Sequence, residues 1–236
     1  MWREAQRNEV KMDVLTFQNY PSSKPLTLFF ISDIHRRSIH PSIIKKIQGK
    51  ADLVVIGGDL AEKGVPLTRV AGNLQLLTQV APVFFIWGNN DYELLAEELD
   101  RLFQCYGIRV LRNESICLPL ACGSSIYLLG VDDFSKGNSR KSPAFAGVPN
   151  ESFKVLVSHN PIFQKKLTAA DGVSLFLSGH THGGQIRFFG IGPYKKGGWE
   201  QKGEMTVLVS NGYGTSGVPF RLGAKAETHL ITIKKE

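Results

Sequence analysis

Five short apolar runs recur along this chain, and small or polar residues follow each of them. The runs are Leu26–Ile31, Leu53–Ile56, Val83–Trp87, Phe153–Val157 and Val173–Leu177. Continuous apolar runs of this length are typical of strands that are buried on both faces of a sheet. The pattern therefore predicts a sheet with a covered core and with polar turns where its strands end.

Segments with helical periodicity lie between and after the first three of these runs. Apolar residues recur at helical spacing over Ile39–Ile47, Pro66–Val80 and Glu93–Cys105. The alternation of strand and helix predicts a β-α-β-α-β-α unit with a parallel sheet and right-handed crossovers. The second half is richer in strands, and residues 132–150 and 186–204 are predicted to be irregular loops because they are rich in glycine and basic residues.

The turns that follow the five runs contain residue types that bind metal ions. They are Asp33, His35, Asp59, Asn89, His159, His180 and His182. The carboxyl ends of the strands form the ligand site in open α/β sheets, so these residues are expected to converge. This number of oxygen and nitrogen ligands is larger than one tetrahedral ion can bind, and it suits two ions of higher coordination. A carboxylate bridges two ions better than a neutral imidazole does, so an aspartate is expected in the shared position.

Each of these residues also has an ordinary structural interpretation. Asp33 and Asp59 are acceptable helix N-caps, while Asn89 and His159 are common turn residues. The combination favours metal binding, because four of only six histidines fall at strand ends. Two divalent ions held by two aspartates would leave a net positive charge, which attracts phosphate and favours the ionisation of bound water.

The basic composition indicates an anionic partner. The chain of 236 residues has a formal net charge of +7, which suits a phosphate-bearing substrate, a nucleic acid or an acidic membrane surface, and which a solvated basic surface explains equally well. Nucleic acid is the least expected of these, because no basic stripe interleaved with aromatic residues is present. One predicted loop contains the basic and aromatic residues Lys195, Lys196, Trp199 and Lys202. This loop is suited to contact an anionic substrate or membrane surface, and it is equally well interpreted as a solvated lid.

The length and the absence of a linker predict a single domain over residues 1–236, in which 1–25 form an extension with an edge strand at Val10–Phe17. No apolar run approaches the ~18 residues of a membrane span, and Met1–Asp13 lacks the apolar centre of a signal peptide. The cysteines are expected to be buried, reduced thiols, and a cytoplasmic protein is predicted. They are Cys105, Cys117 and Cys122.

The strand-end motifs, taken in order, resemble those of the calcineurin-like metallophosphoesterases. The matching residues are Asp33 and His35; Gly57, Gly58 and Asp59; Gly88, Asn89, Asn90 and Asp91; His159; and Gly179, His180 and His182. The glycines and glutamine that follow resemble a subgroup of small bacterial phosphoesterases that includes pyrophosphate hydrolases of the lipid A pathway. The resemblance covers about Leu26 to Leu230. It implies an α/β fold of four layers, α/β/β/α, in which two mixed β-sheets are flanked by helices.

The resemblance also implies a role for each ligand. Asp33, His35 and His182 would serve the first metal ion; Asn89, His159 and His180 would serve the second; and Asp59 would be shared. The implied cofactor is two divalent ions per chain, manganese first, with iron, zinc or cobalt as alternatives. The implied reaction is hydrolysis of a phosphate ester through attack by a hydroxide that bridges the ions.

One position departs from the family pattern. Many members have a histidine after the metal-binding asparagine, where it contacts the phosphate and is thought to protonate the leaving group, but this chain has Asn90. An amide donates a hydrogen bond but is no general acid near neutral pH. The loss of a general acid typically slows a reaction by about 10²–10⁴, least where the leaving group is stable as an anion. A bias toward phosphodiesters or pyrophosphates is therefore predicted, with His40 or His229 as alternative proton donors.

The remaining predictions concern catalysis and substrate. Asp59, Asn90 and Asp91 are predicted to be catalytic. Asn90, Arg36 and Arg37 are predicted to bind the substrate phosphate, although the two arginines equally suit surface positions at a helix start. Trp87 is expected in the core and Tyr92 in the pocket.

The expected substrate is a small phosphorylated molecule that is nucleotide-linked or lipid-linked. Two alternatives remain from the sequence. One is a nuclease or cyclic nucleotide phosphodiesterase of the same fold, which the basic charge allows. The other is a non-catalytic interaction module that keeps its metal site, which the loss of histidine at Asn90 allows.

Overall fold

Two six-stranded sheets packed face to face form the centre of the protein. The computed structural model describes residues 1–120 and 123–236. Its strands are β1 (Val10–Phe17), β2 (Leu26–Ile31), β3 (Leu53–Ile56), β4 (Val83–Phe85), β5 (Arg109–Val110), β6 (Glu114–Pro119), β7 (Ser125–Val131), β8 (Phe153–Ser158), β9 (Val173–Ser178), β10 (Gly198–Lys202), β11 (Met205–Val209) and β12 (Thr228–Lys235). The first sheet has the order β1-β12-β2-β3-β4-β5, and the second has the order β10-β11-β9-β8-β7-β6.

Both sheets are mixed. In the first, β2, β3, β4 and β5 run parallel, as the β-α-β alternation predicts, whereas β12 pairs antiparallel with β2. In the second, β7, β8, β9 and β11 run parallel, and the outer strands β6 and β10 are antiparallel to their neighbours. Strand β1 lies at the edge of the first sheet and pairs in parallel with β12.

Helices cover the outer faces of the sheets. The α-helices are α1 (Trp2–Ala5), α2 (Pro41–Ile47), α3 (Leu67–Thr78), α4 (Ala96–Cys105) and α5 (Lys141–Phe145). Apolar side chains of α2, α3 and α4 pack against the first sheet, among them Ile43, Leu74 and Phe103. The short α5 and a 3₁₀ turn at Pro161–Lys166 cover the second sheet. The predicted α/β fold of two mixed sheets flanked by helices is confirmed.

Strand β2 shows why its apolar run is unbroken. Phe29 and Ile31 pack toward the helices, whereas Leu28 and Phe30 pack into the layer between the two sheets. Successive side chains of a strand point to opposite faces, and here both faces are covered. All four side chains are almost completely buried. The same burial on both faces applies to β3 and β8, so the strand ends lie between two packed layers.

Three expectations from the sequence differ from the structure. Residues 186–204 contain β10, which is held by its ladder with β11, and residues 132–150 contain α5. Both elements are polar on their exposed sides, so periodicity gives little signal and tertiary pairing decides. Cys105 and Cys117 are exposed free thiols rather than buried ones, because they lie on the outer sides of α4 and β6; Cys122 lies outside the described residues.

Trp87 is fully buried, in agreement with its predicted place in the core. In the part of the chain that the structure describes, none of the helices has the length and apolar character needed to cross a membrane.

The layer between the sheets is expected to dominate stability. Phe30→Ala, which empties a fully buried site there, should lower the free energy of unfolding by about 3–5 kcal/mol. Val14→Ala removes an exposed side chain from β1 and should change it by less than about 0.5 kcal/mol. Urea unfolding of the two variants measures both values, and equal losses would contradict this view of the core.

Candidate metal centre

The ends of five strands bring the predicted ligands to one place. β2 leads into Asp33 and His35, β3 into Asp59, and β8 into His159. β9 leads into His180 and His182, and β4 leads into Asn89. Three of these strands belong to the first sheet and two to the second, so the site lies where the carboxyl ends of both sheets meet.

One group of ligand atoms is formed by Asp33, His35 and His182, all of which are buried. His182 Nε2 lies 3.1 Å from His35 Nε2 and 3.4 Å from Asp33 Oδ1. The two imidazole rings stack with centroids 5.0 Å apart. Two ring nitrogens and a carboxylate oxygen that converge in this way have the chemistry of a divalent transition-metal site.

A second group is formed by Asp33, Asp59 and His159. Asp59 Oδ2 lies 3.2 Å from His159 Nε2 and 3.6 Å from His35 Nε2, so it faces one histidine of each group. Asp33 is a member of both groups. Two buried carboxylates thus lie between three imidazoles. This set of donor atoms is suited to bind a pair of cations.

Unpartnered polar atoms support this fit. His159 Nδ1 lies 2.8 Å from the carbonyl oxygen of Gly57, to which it donates when protonated, and this tautomer leaves the Nε2 lone pair free. Asn89 Oδ1 is buried without a hydrogen-bond partner, and His159 Nε2, which faces Asp59 Oδ2 at 3.2 Å, makes no well-aligned hydrogen bond. The ring of His180 packs edge-on against His159 at 5.1 Å. A buried polar atom without a partner is unfavourable unless a ligand completes it, and a metal ion is the ligand that both atoms suit.

The charges of the cluster are strongly coupled. Burial alone would raise the pKa of Asp59, but the neighbouring His159 and His35 hold it well below its usual range. Burial alone would lower the pKa of His159, but Asp59 raises it to about 10. Burial lowers the pKa of His182 to about 3, which keeps this ring neutral. The two buried aspartates therefore require positive charge beside them, which a proton on His159 supplies and a metal ion would replace.

The ligand turns are conformationally strained. The left-handed backbone region, with positive φ, is occupied by Asp33 (54°), His35 (51°), Asp59 (51°), His180 (71°) and His182 (50°). This conformation costs a residue other than glycine about 1 kcal/mol or more. Strain of this kind persists where packing enforces it, and it concentrates at functional sites.

Glycines beside the ligands allow the strand ends to approach each other. A Cβ atom at Gly179 would overlap the carboxylate of Asp33, and one at Gly88 would overlap Asp59. A Cβ atom at Gly58 would lie 2.6 Å from Nδ1 of the His159 ring. The glycines of the sequence motifs are therefore required because each backbone passes directly against a ligand from another strand.

Comparisons with known proteins agree with this geometry. The model of the calcineurin-like phosphoesterase family matches residues 26–184. The chain belongs to the calcineurin-like phosphoesterase family. Its family is one of metal-dependent hydrolases of phosphate esters, and the buried cluster of Asp33, His35, Asp59, His159 and His182 is its candidate metal site.

Individual relatives place the chain within this family. It is 41% identical to the Bacillus subtilis (strain 168) protein YpbG over 99% of this chain and 90% of that protein. It is 32% identical to the Bacillus subtilis (strain 168) metallophosphoesterase YkuE over 79% of this chain and 69% of the relative. The fold is similar to that of a 5'-nucleotidase precursor from Thermus thermophilus, with a TM-score of 0.55 and 15% identity over 89% of this chain and 55% of that one.

In this calcineurin-like phosphoesterase, the carboxylate of Asp91 accepts hydrogen bonds from backbone amides. Its Oδ2 accepts hydrogen bonds from the amides of Asp59 and Gly88, both at 2.8 Å, and its Oδ1 accepts one from Ala61 at 3.1 Å. Burial raises the pKa of Asp91 to about 7, and the nearby Asp59 carboxylate adds to the effect. Asp91 thus joins the turns that follow β3 and β4.

The structure places Asn90 directly beside Asp59. The backbone amide of Asn90 donates to Asp59 Oδ1 at 2.8 Å, and the side-chain oxygen of Asn90 accepts from the side-chain amide nitrogen Nδ2 of Asn89. The side chain that replaces the family histidine therefore lies at the edge of the ligand cluster.

The two predicted phosphate-binding arginines are engaged elsewhere. Arg36 pairs with Glu62, and its side chain is mostly exposed. The Arg37 guanidinium stacks on Tyr213 at 3.7 Å and donates to the carbonyl oxygen of Tyr213 at 2.6 Å. It also donates to Asn8 Oδ1 at 2.8 Å. The structure does not bring these two side chains into the ligand cluster, and their substrate contacts stay predictions.

The other candidate side chains also have partners. His40 caps α2 and contacts Ser42. His229 is buried, with Nδ1 2.9 Å from Asp13 Oδ2 and Nε2 3.4 Å from Glu227 Oε1. The Tyr92 hydroxyl donates to Asp132.

Three functional candidates were missed from the sequence. Glu62 Oε2 lies 2.9 Å from His35 Nδ1, on the side of the ring away from the cluster. The fully buried Arg221 donates to the carbonyl oxygen of His182 at 3.2 Å and to that of Asn211 at 2.6 Å. Asp133 is buried after β7, and its Oδ2 has no hydrogen-bond partner. Only Asp133 had a signal, because it follows an apolar run as the other ligands do.

Glu62 is expected to orient His35. Glu62→Ala should lower metal affinity by about 10- to 100-fold while the protein stays folded, because a metal-binding histidine relies on the partner of its other nitrogen. Glu97→Ala is the matched control, since Glu97 is on the exposed surface of α4. Isothermal titration calorimetry measures the metal affinity of both variants, and equal affinities would contradict an orienting role for Glu62.

Proposed function

We propose that this protein hydrolyses phosphodiester or pyrophosphate bonds at a dinuclear metal centre. The observation that carries the proposal is the pair of buried carboxylates, Asp33 and Asp59, that faces three buried imidazoles at the junction of the two sheets. This donor set is rich in oxygen and nitrogen and has no thiolate, which favours a catalytic over a structural metal site.

The proposed ligands follow the strand ends. In this proposal Asp33, His35 and His182 would hold one ion, Asn89, His159 and His180 would hold the other, and Asp59 would contribute to both. When bound, two divalent ions supply Lewis-acid charge and a water of lowered pKa. Manganese is proposed first, because carboxylate and carbonyl oxygens suit it, and iron, zinc or cobalt are the alternatives because the set also contains imidazoles.

The protein's own residues position the reaction. Asp91 holds the backbone of Asp59 and Gly88, so its proposed catalytic contribution is to position the shared ligand. The Asn90 amide is proposed to donate a hydrogen bond to a phosphoryl oxygen, because it lies beside Asp59. Arg36 is proposed as a phosphate contact that exchanges its Glu62 partner for substrate, and Arg37 as a more distant positive charge.

The choice of phosphate ester follows from proton supply. Asn90 offers no titratable proton, while His40 and His229 are engaged by Ser42 and by Asp13 with Glu227. A leaving group that is stable as an anion needs little protonation, which favours pyrophosphates and aryl diesters over alkyl monoesters. The proposed substrate is a small phosphorylated molecule that is nucleotide-linked or lipid-linked, and the proposed compartment is the cytoplasm.

The shared ligand is tested by Asp59→Asn. Loss of one carboxylate charge between the two histidines should reduce bound metal well below two ions per chain and lower turnover by about a hundredfold or more. Metal analysis by mass spectrometry and the rate on bis(p-nitrophenyl) phosphate measure the two effects. Glu97→Gln serves as the control on an exposed carboxylate. Unchanged metal content and rate in Asp59→Asn would sink the shared-ligand assignment.

The proton-supply argument is tested by Asn90→His. A titratable group at this position should raise the rate on alkyl phosphomonoesters relative to diesters by about 100-fold. A substrate panel of diesters, pyrophosphates and monoesters measures the ratio in the wild-type and variant proteins. Wild-type preference for sugar monophosphates over diesters would contradict the proposed bias. Absence of all turnover by metal-loaded protein would indicate a non-catalytic module instead.

A further inference from the structure

A tight aromatic hairpin extends from the chain soon after the metal-binding turn. Phe188 and Ile191 exchange two backbone hydrogen bonds of 2.9 Å, so two residues form the turn between them. These residues, Phe189 and Gly190, both have positive φ, of 49° and 83°. A two-residue hairpin turn of this type strongly favours Asn or Asp before the glycine.

Phe189 is therefore an unusual residue for its position. Its backbone adopts a left-handed conformation that a bulky side chain disfavours, and its side chain is fully exposed, at 104%. Neither property stabilises the folded chain, because Phe189 is both strained and without packing. An aromatic residue at the tip of such a turn suggests that it contacts something outside the chain.

Other exposed apolar side chains lie on the hairpin and on the segment 216–222, which contacts the residues before the hairpin. This group, which we call the aromatic rim, comprises Phe188, Phe189, Ile191, Tyr194, Val218 and Phe220. The two segments that contribute it are joined, because the Arg187 amide donates to the carbonyl oxygen of Leu222 at 2.8 Å. The side-chain amide of Gln185 also donates to the carbonyl oxygens of Ser216 and Val218. A grouped, exposed apolar surface usually marks an interaction site.

The aromatic rim is tied to the metal-binding turn. The Arg187 guanidinium donates to the carbonyl oxygen of Gly183 at 3.1 Å and also to those of Gly190 and Tyr194. Gly183 directly follows the ligand His182. One arginine thus fixes the base of the hairpin to the edge of the metal centre, so whatever the rim contacts is held near the site.

Basic residues accompany the apolar ones. Lys195 and Lys196 follow Tyr194 and are exposed, and the Lys195 ammonium has only an exposed partner, Glu200, at 3.5 Å. The whole chain carries a formal net charge of +7. Exposed aromatic and aliphatic side chains flanked by lysines are suited to the interface of an anionic bilayer, where the rings enter the headgroup region and the lysines meet anionic lipids.

We propose that the aromatic rim docks onto the surface of an anionic lipid bilayer. Docking places the metal centre next to phosphates of amphiphilic molecules in that surface, a consequence that rests on the phosphoesterase function proposed above. A second copy of the chain is a poorer occupant, because a symmetric contact between two rims would bring the lysines of two positively charged chains together.

The structure also selects which aromatic residues contact the bilayer. Trp199, which the sequence analysis grouped with the basic loop, is half-buried in β10, and its indole nitrogen donates to Asp13 Oδ1 at 3.0 Å. Trp199 also packs against the layer between the sheets. Membrane contact is therefore assigned to the hairpin tip rather than to Trp199.

The decisive variant is Phe189→Asn in the full-length, metal-loaded protein. Asn before Gly is the favoured pair for this turn, so the melting temperature should stay equal or rise. Removal of the aromatic ring should weaken binding to vesicles of equal parts phosphatidylcholine and phosphatidylglycerol by about 10-fold. Flotation with these vesicles measures the fraction bound. Val14→Thr, which changes an exposed apolar side chain on β1, should bind as the wild type does.

The charge contribution has its own variant. Lys195→Gln combined with Lys196→Gln should weaken binding to the anionic vesicles by about 10-fold or more and leave the weak binding to pure phosphatidylcholine unchanged. Equal binding of wild type and Phe189→Asn, or no wild-type binding to either vesicle, would overturn the proposal. So would a wild-type dimer in sedimentation that Phe189→Asn dissociates, because the rim would then contact a second copy.

The docking proposal and the proposed function fail in different measurements. Phe189→Asn should hydrolyse soluble bis(p-nitrophenyl) phosphate at the wild-type rate, because the ring contacts no ligand residue. Vesicle binding without any turnover of soluble esters would support docking and contradict the proposed hydrolysis. Turnover of soluble esters without vesicle binding would do the reverse.

Discussion

Mutual repulsion between two buried carboxylates is the constraint on which the site depends. Asp33 and Asp59 are almost completely buried, and each raises the energy of the other's ionised form. They remain charged because imidazoles approach them, and because backbone amides donate to them, from His180 to Asp33 and from Asn90 to Asp59. Carboxylates that are crowded in this way bind cations strongly, so the same arrangement that strains the fold prepares it for metal.

Supporting residues maintain this crowding. Asp91 ties two turns of the first sheet together through three backbone amides. Arg221 donates to carbonyl oxygens of the segment that follows β11 and also contacts His182. The left-handed ligands persist because these contacts, together with glycines that let neighbouring turns touch, leave them no relaxed alternative. These residues support the proposed activity by holding the candidate ligands in place, and variants of them test positioning rather than chemistry.

Selectivity is proposed to come from two features at the edge of the centre. Asn90 restricts proton donation, which favours esters with stable leaving groups, and the aromatic rim directs the site toward amphiphilic phosphates at a bilayer. The two features are compatible, because cleavage of a lipid-borne pyrophosphate requires less leaving-group protonation than cleavage of an alkyl monoester does. In this proposal, one turn of the first sheet determines which esters are cleaved, and a hairpin beside a turn of the second sheet determines where the protein binds.

The sequence by itself determined the buried strands and the candidate ligand types, because strands covered on both faces leave unbroken apolar runs and the candidate ligands follow their ends. It also located Asn90 as the exception. Only the tertiary structure decided which side chains converge: it joined Glu62 to His35, placed Arg37 on Tyr213, and exposed Phe189 at a strained turn. The first two features join residues that are distant in the chain, and the third depends on the backbone angles of one turn. Neither kind of feature produces a periodic pattern in the sequence.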